Sequence, residues 1–143
     1  MSIKNVYEVL DDFRNATTKQ DRLDVLRRNG SFAVKSILQG AFDPRVKFTI
    51  KEVPKYNKVD VPPGLSYSHM TDALSKVYLW TEGSSKRPAG LTEKRSTELL
   101  LQLLESLEPK EAEIFASMIK KDLKIPHLTP KLINEAFPGL LPE

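Results

Sequence analysis

Apolar residues recur at helical spacing along most of the chain. Ile3, Val6, Tyr7, Leu10 and Phe13 predict a first helix that ends near Asn15. Thr17 or Thr18 starts a second, with Gln20 placed for a capping box and Leu23 and Leu26 facing inward. Arg27-Arg28-Asn29-Gly30 stops it: cations in the last turn, then a glycine able to take the left-handed conformation. Ser31 caps a third helix carrying Val34, Ile37, Leu38 and Ala41. Ser68 or Thr71 opens a fourth through Met70, Leu74, Val77, Tyr78 and Trp80, with Trp80 in the core. Thr92 caps a fifth, whose Leu99, Leu100, Leu103, Leu104 and Leu107 place it at the centre of the domain. Pro109 sits in the first turn of a sixth, with Ala112, Phe115, Met118, Ile119 and Leu123 on its apolar face. Thr129 and Pro130 open a short seventh.

Two stretches interrupt the periodicity. Val46, Phe48 and Ile50 alternate as a short extended piece, but no second alternating run is there to pair with it, so no sheet is expected. From Val53 to Tyr67, Pro54, Pro62, Pro63 and Gly64 bar regular structure and predict an ordered surface loop. A second loop, Glu82 to Gly90, reads as an exposed connector. The fold class is all-α: one domain, residues 1–143, of six to seven short helices with a long proline-containing basic loop.

Composition adds little to this and removes much. With 143 residues the chain suits one domain rather than two. No apolar run approaches the roughly 18 residues of a membrane span, and the amphipathic N-terminus is not a signal peptide, so an intracellular, cytoplasmic protein is expected. There is no cysteine and there are only two histidines, His69 and His127, without metal-ligand spacing. The six glycines are scattered, which excludes a phosphate-binding loop, and no nucleophile elbow is present. Carboxylate pairs such as Asp11-Asp12 and Glu111/Glu113 read as solvated helix surface. The expectation is a protein without catalytic residues, metal or cofactor.

Net charge is +3, mildly basic, and unevenly spread. Between residues 45 and 58, Arg45, Lys47, Lys51, Lys55 and Lys58 face Glu52 alone. A second basic cluster, Lys120, Lys121 and Lys124, closes the sixth helix ahead of the turn Ile125-Pro126-His127-Leu128, forming a helix–turn–helix-like corner with Lys131 beyond it.

Three segments carry a resemblance: Thr18-Lys19-Gln20 with Arg28-Asn29; Ile50-Lys51-Glu52-Val53-Pro54; and Lys121-Asp122-Leu123 followed by Phe137-Pro138-Gly139-Leu140-Leu141-Pro142. In order and approximate spacing they resemble the N-terminal DNA-binding domain of the ATP-dependent DNA ligases of T-even phages. The whole chain is similar also to small stand-alone proteins of T-even-like phages, including those of cyanobacteria, through Gly40 to Pro44, Lys47 to Pro54 and Glu135 to Pro142. The ligases continue into a nucleotidyltransferase core with a Lys-x-Asp-Gly lysine; Lys58-Val59-Asp60-Val61 lacks the glycine and lies elsewhere, so a ligase alone is not expected. The small-residue turn of the ligase domain is replaced by Ile125-Pro126-His127, where Pro126 removes an N–H donor.

Two functions follow from these readings. In the first, Lys120, Lys121, Lys124 and Lys131 meet the phosphates of double-stranded or nicked DNA, with Arg45, Lys47 and Lys51 as a second contact, without sequence specificity. In the second, Lys55, Tyr56, Lys58 and Tyr67 contact a protein of replication or transcription, with host RNA polymerase as the leading partner.

Overall fold

In the computed structural model, residues 6–50, 53, 55, 56, 70–86 and 88–142 are described. Seven α-helices run in chain order among them: α1 (Val6–Asn15), α2 (Lys19–Arg28), α3 (Phe32–Phe42), α4 (Met70–Ser75), α5 (Glu93–Ser106), α6 (Pro109–Ile119) and α7 (Pro130–Ala136). The all-α expectation holds. The proposed inward position of Ile3, and most of the Val53–Tyr67 loop, lie outside the described residues.

Side-chain caps set the helix starts. Thr18, Ser31, Thr92 and Thr129 each accept the N–H three residues on, at 3.1, 3.3, 3.1 and 3.2 Å. The cap of α2 is Thr18, and Gln20 instead donates to Asp24. Glu108 caps α6, its carboxylate accepting the N–H groups of Lys110 and Glu111 at 3.0 and 3.2 Å, with Pro109 in the first turn.

The stop of α2 differs from the expected glycine cap. Asn29 takes the cap position, and its Nδ2 donates to the Val25 carbonyl at 2.7 Å. Gly30 does not adopt positive φ. Its smallness serves packing, since a Cβ there would lie 2.8 Å from Cε1 of Phe137.

The centre of the domain is α6 rather than α5. It packs against α1, α3, α4 and α5, while α2 lies on α1 and α7 closes onto α2. Ala112 and Ala116 keep α6 slim enough for neighbours on several sides, and Phe115 and Met118 are fully buried. α5 is more leucine-rich but buries one face, leaving Glu93, Lys94, Arg95 and Gln102 in solvent. On the α3 side the approach is so close that a Cβ on Gly40 would sit 2.6 Å from Sδ of Met118.

The fourth helix is shorter than its periodicity suggests. After Ser75 the chain tightens into a 3-10 turn, Val77–Trp80. That turn delivers the fully buried Trp80 edge-on to Phe115, ring centroids 6.0 Å apart, with its indole N–H donating to Ser96 O at 2.9 Å. The segment then pairs with the extended 47–49 piece through an isolated antiparallel bridge between Phe48 and Thr81. Thr49 N–H donates to Trp80 O and Glu82 N–H to Lys47 O, both at 2.7 Å. No strand forms among the described residues.

Glu111 is not a surface residue. It is 6% exposed, and Val6 and Tyr7 N–H groups at the start of α1 hydrogen-bond to its carboxylate. Burial nevertheless dominates, joined by repulsion from Glu108 and Glu8, and pushes its pKa up to about 7. No described helix is long and apolar enough to cross a membrane.

Candidate nucleic-acid interface

The corner after α6 is built on left-handed residues. Lys120 ends the helix, and Lys121 follows at φ +61°. Lys121 N–H donates to Met118 O at 2.9 Å and Asp122 N–H to Ser117 O at 3.0 Å, the paired bonds of a Schellman stop. Glycine is the usual occupant of this position. Lysine occupies it because its side chain ties α6 to α3, with Nζ donating to the carbonyls of Gly40, Asp43 and Val46, each at 2.7 Å. These carbonyls lie at and just beyond the C-terminal end of α3, where backbone acceptors lack helical partners. The ammonium also stands 5.5 Å from the Phe48 ring centroid. Burial lowers the Lys121 pKa, with Asp43 opposing that shift.

The expected phosphate contact by Lys121 is therefore corrected. An ammonium has three donors, and all three are committed within the fold. Lys120 and Lys124, on either side of it, are exposed, and no described carboxylate forms an ion pair with them.

The rest of the corner is anchored from inside. Leu123, Ile125 and Leu128 are buried and hold the turn to the core. Asp122 Oδ1 accepts the Lys124 N–H at 3.0 Å, with Lys124 at φ +55°. Leu128 N–H returns to Ile125 O at 3.4 Å, with Pro126 and His127 (φ +68°) at the two central positions. That is a type II arrangement, in which proline at the first central position costs nothing.

Beside the corner, a groove of about 730 Å³ runs between α1 and α6 and along Val53, Lys55 and Tyr56. Arg14, Lys55, Lys110, Lys120 and Lys124 line it against two carboxylates, Asp11 and Glu113. Arg14 pairs with Asp11 at 2.9 Å, and Lys110 Nζ lies 5.2 Å from the Tyr7 ring centroid. Tyr7 and Tyr56 bring two half-buried rings. Burial, then the charge of Glu113, raises the Tyr56 pKa.

Residues 9–125, from the first turn of α1 to the corner, match the model of a family of unknown function, DUF6433. The chain belongs to the DUF6433 family. No curated protein matches it. The matched span holds every groove residue named above except Tyr7.

In this DUF6433 protein the groove unites residues that the sequence assigned to rival functions. Lys120 and Lys124 were expected to meet DNA, Lys55 and Tyr56 a protein, and all four line one cleft. Others fall elsewhere. Arg45 grips Asp43 in a two-pronged contact, Nε to Oδ1 at 3.1 Å and Nη2 to Oδ2 at 3.0 Å. This holds the buried Asp43 carboxyl below its usual range. Arg45 and the exposed Lys47 do not line the groove, and neither does Lys131 in the first turn of α7. Lys51, Lys58 and Tyr67 lie outside the described residues.

Arg14, Lys110 and Tyr7 are groove residues that the sequence reading missed. Their signal was a polar stripe on each helix: Tyr7, Asp11 and Arg14 at i, i+4, i+7, and Lys110, Glu113, Ser117 and Lys120 at i, i+3, i+7, i+10. Among the described residues no three His, Asp or Glu side chains gather as metal ligands.

Proposed function

We propose that this DUF6433 protein is a non-catalytic accessory protein of phage nucleic-acid metabolism that binds double-stranded or nicked DNA without sequence preference. The observation that carries the reading is the convergence of Lys55, Lys110, Lys120 and Lys124 on one groove beside the α6–α7 corner. Ammonium groups free of described ion pairs are the chemistry that phosphate recognition uses, and their gain is entropic through counterion release. The resemblance of the final stretch to phage DNA ligase N-terminal domains supports the same reading. Contacts to phosphate fix position but carry no sequence, and no base-reading motif accompanies them.

A second reading has its own support. Leu10, Val53, Ile114, Leu123 and Ile125 give the groove an apolar side, which suits a peptide segment of a protein partner, with host RNA polymerase as the leading candidate. The test is a titration against a nicked duplex at low and moderate salt, with the Lys120→Ala/Lys124→Ala protein alongside. Micromolar or tighter binding that weakens with salt and with the substitutions supports DNA. Absence of binding at low salt overturns that reading and directs the search to capture by purified RNA polymerase.

A further inference from the structure

We propose that the groove between α1 and α6 receives an unpaired nucleic-acid strand, with a base against Tyr56 and phosphates on Lys55, Lys120 and Lys124. The inference rests on the DNA reading above and narrows it to one form of ligand, such as the frayed strand at a nick or a gap.

The position of the rings carries it. Both tyrosines line the groove among the cations, rather than on a separate surface. A paired duplex keeps its bases stacked on one another and presents phosphates and base edges, so it has no base face to offer a ring inside a cleft. An unpaired strand offers one at every nucleotide, and every base has one, which makes the contact tolerant of sequence.

The rings are also held in place. Tyr56 is half-buried and packed against the hydrophobic core, and Tyr7, part of α1 with Lys110 over its ring at 5.2 Å, forms the groove wall beside it. A platform ordered before binding loses little entropy when a base stacks on it.

The charges are distributed to match. Lys55, Lys120 and Lys124 are exposed and have no described ion pair, whereas Arg14 is tied to Asp11 and Lys110 to Tyr7. Asp11 and Glu113 repel phosphate but accept hydrogen bonds from exocyclic amino groups, which an unpaired base leaves free.

The experiment is fluorescence anisotropy with a labelled mixed-sequence single strand, the blunt duplex of the same length, and a polyglutamate peptide, at low and moderate salt. The full chain is compared with Lys120→Ala/Lys124→Ala, Tyr56→Leu and Tyr56→Phe, each checked for folding by circular dichroism. The single strand should bind about tenfold or more tighter than the duplex, and Tyr56→Leu should lose roughly fivefold or more, as expected for one stacked base. Tyr56→Phe, which keeps the ring, should retain the affinity. Equal binding of strand and duplex, unchanged by Tyr56→Leu but weakened by the lysine substitutions, overturns this inference and leaves DNA binding standing. Failure of both nucleic acids to bind overturns both, as does a polyglutamate peptide that binds as tightly as the strand and competes with it.

Discussion

The ammonium of Lys121 donates to the backbone carbonyl of Gly40 at 2.7 Å, joining the end of α6 to the end of α3. With the bonds to Asp43 O and Val46 O it forms a three-way pin under the corner. The pin explains a lysine at φ +61°, a conformation that costs a residue bearing Cβ about 1 kcal/mol or more. Charge-assisted hydrogen bonds are worth more than that. Lys120 and Lys124 line the groove, and Lys121 does not.

Removing the pin should destabilise the fold without touching affinity. Lys121→Met is expected to lose about 2–4 kcal/mol in chemical denaturation. Lys121→Gly relieves the backbone conformation but still loses the three bonds, so it should fall short of wild type by roughly 1–3 kcal/mol. Both should bind DNA as wild type does when folded. A Lys121→Met protein with unchanged stability and weakened DNA binding would return Lys121 to the phosphate-binding set.

Gly40→Ala should be destabilising despite the better helix propensity of alanine. The added methyl meets Cγ and Sδ of the buried Met118 at 2.9 and 2.6 Å. Overpacking costs about 1–3 kcal/mol against a propensity gain of about 1 kcal/mol. Measured with Met118→Ala in a double-mutant cycle, the two changes should partly compensate; simple additivity would refute the contact.

Glu111 should make stability fall as pH rises. Its folded-state pKa is about 7, above the ordinary 4.5, so the folded form holds the proton more tightly than the unfolded chain. The proton-linked stabilisation is complete below the unfolded value and is lost as pH climbs from about 4.5 to about 7. The magnitude is on the order of 2–3 kcal/mol. Asp43, whose pKa is lowered from 3.8, is ionised in both states across that window and adds no slope there. Denaturation series at pH 5 and pH 8 should differ for wild type and converge for Glu111→Gln. An equal slope in the variant would assign the effect to another group.

DNA affinity should depend on salt with a slope set by the groove lysines. For about four phosphate contacts the logarithm of affinity falls by roughly 3–4 per decade of salt. Lys120→Ala/Lys124→Ala should lower that slope by about 2. Lys131→Ala, outside the groove, should leave it unchanged, and a loss there equal to that at Lys120 would enlarge the interface to α7.

Much of the helical framework was legible because its signals are local. Thr18, Ser31, Thr92 and Thr129 cap helices through atoms three residues away, and Val6, Leu10 and Phe13 face inward by spacing alone. Glu111 was read as solvated because its burial depends on α1 arriving over the start of α6. Gly30 looked like a left-handed stop, but its packing against Phe137 involves a residue more than a hundred positions away. Charge patterning found Lys120 and Lys124 but could not separate them from Lys121, because adjacent residues on a helix end point in different directions.

By itself, then, the sequence determined the all-α class, the starts of α2, α3, α5, α6 and α7, the buried status of Trp80 and the presence of a basic corner after α6. Each follows from forces that act within a few residues: backbone capping, helical periodicity and the avoidance of water by large apolar side chains. Tertiary structure alone decided that α6 is the hub, that Lys121 serves α3, and that Lys55 and Tyr56 share a groove with Lys120 and Lys124. The last two relations join positions some 65 to 81 residues apart, and only close packing of the helices brings their side chains within reach.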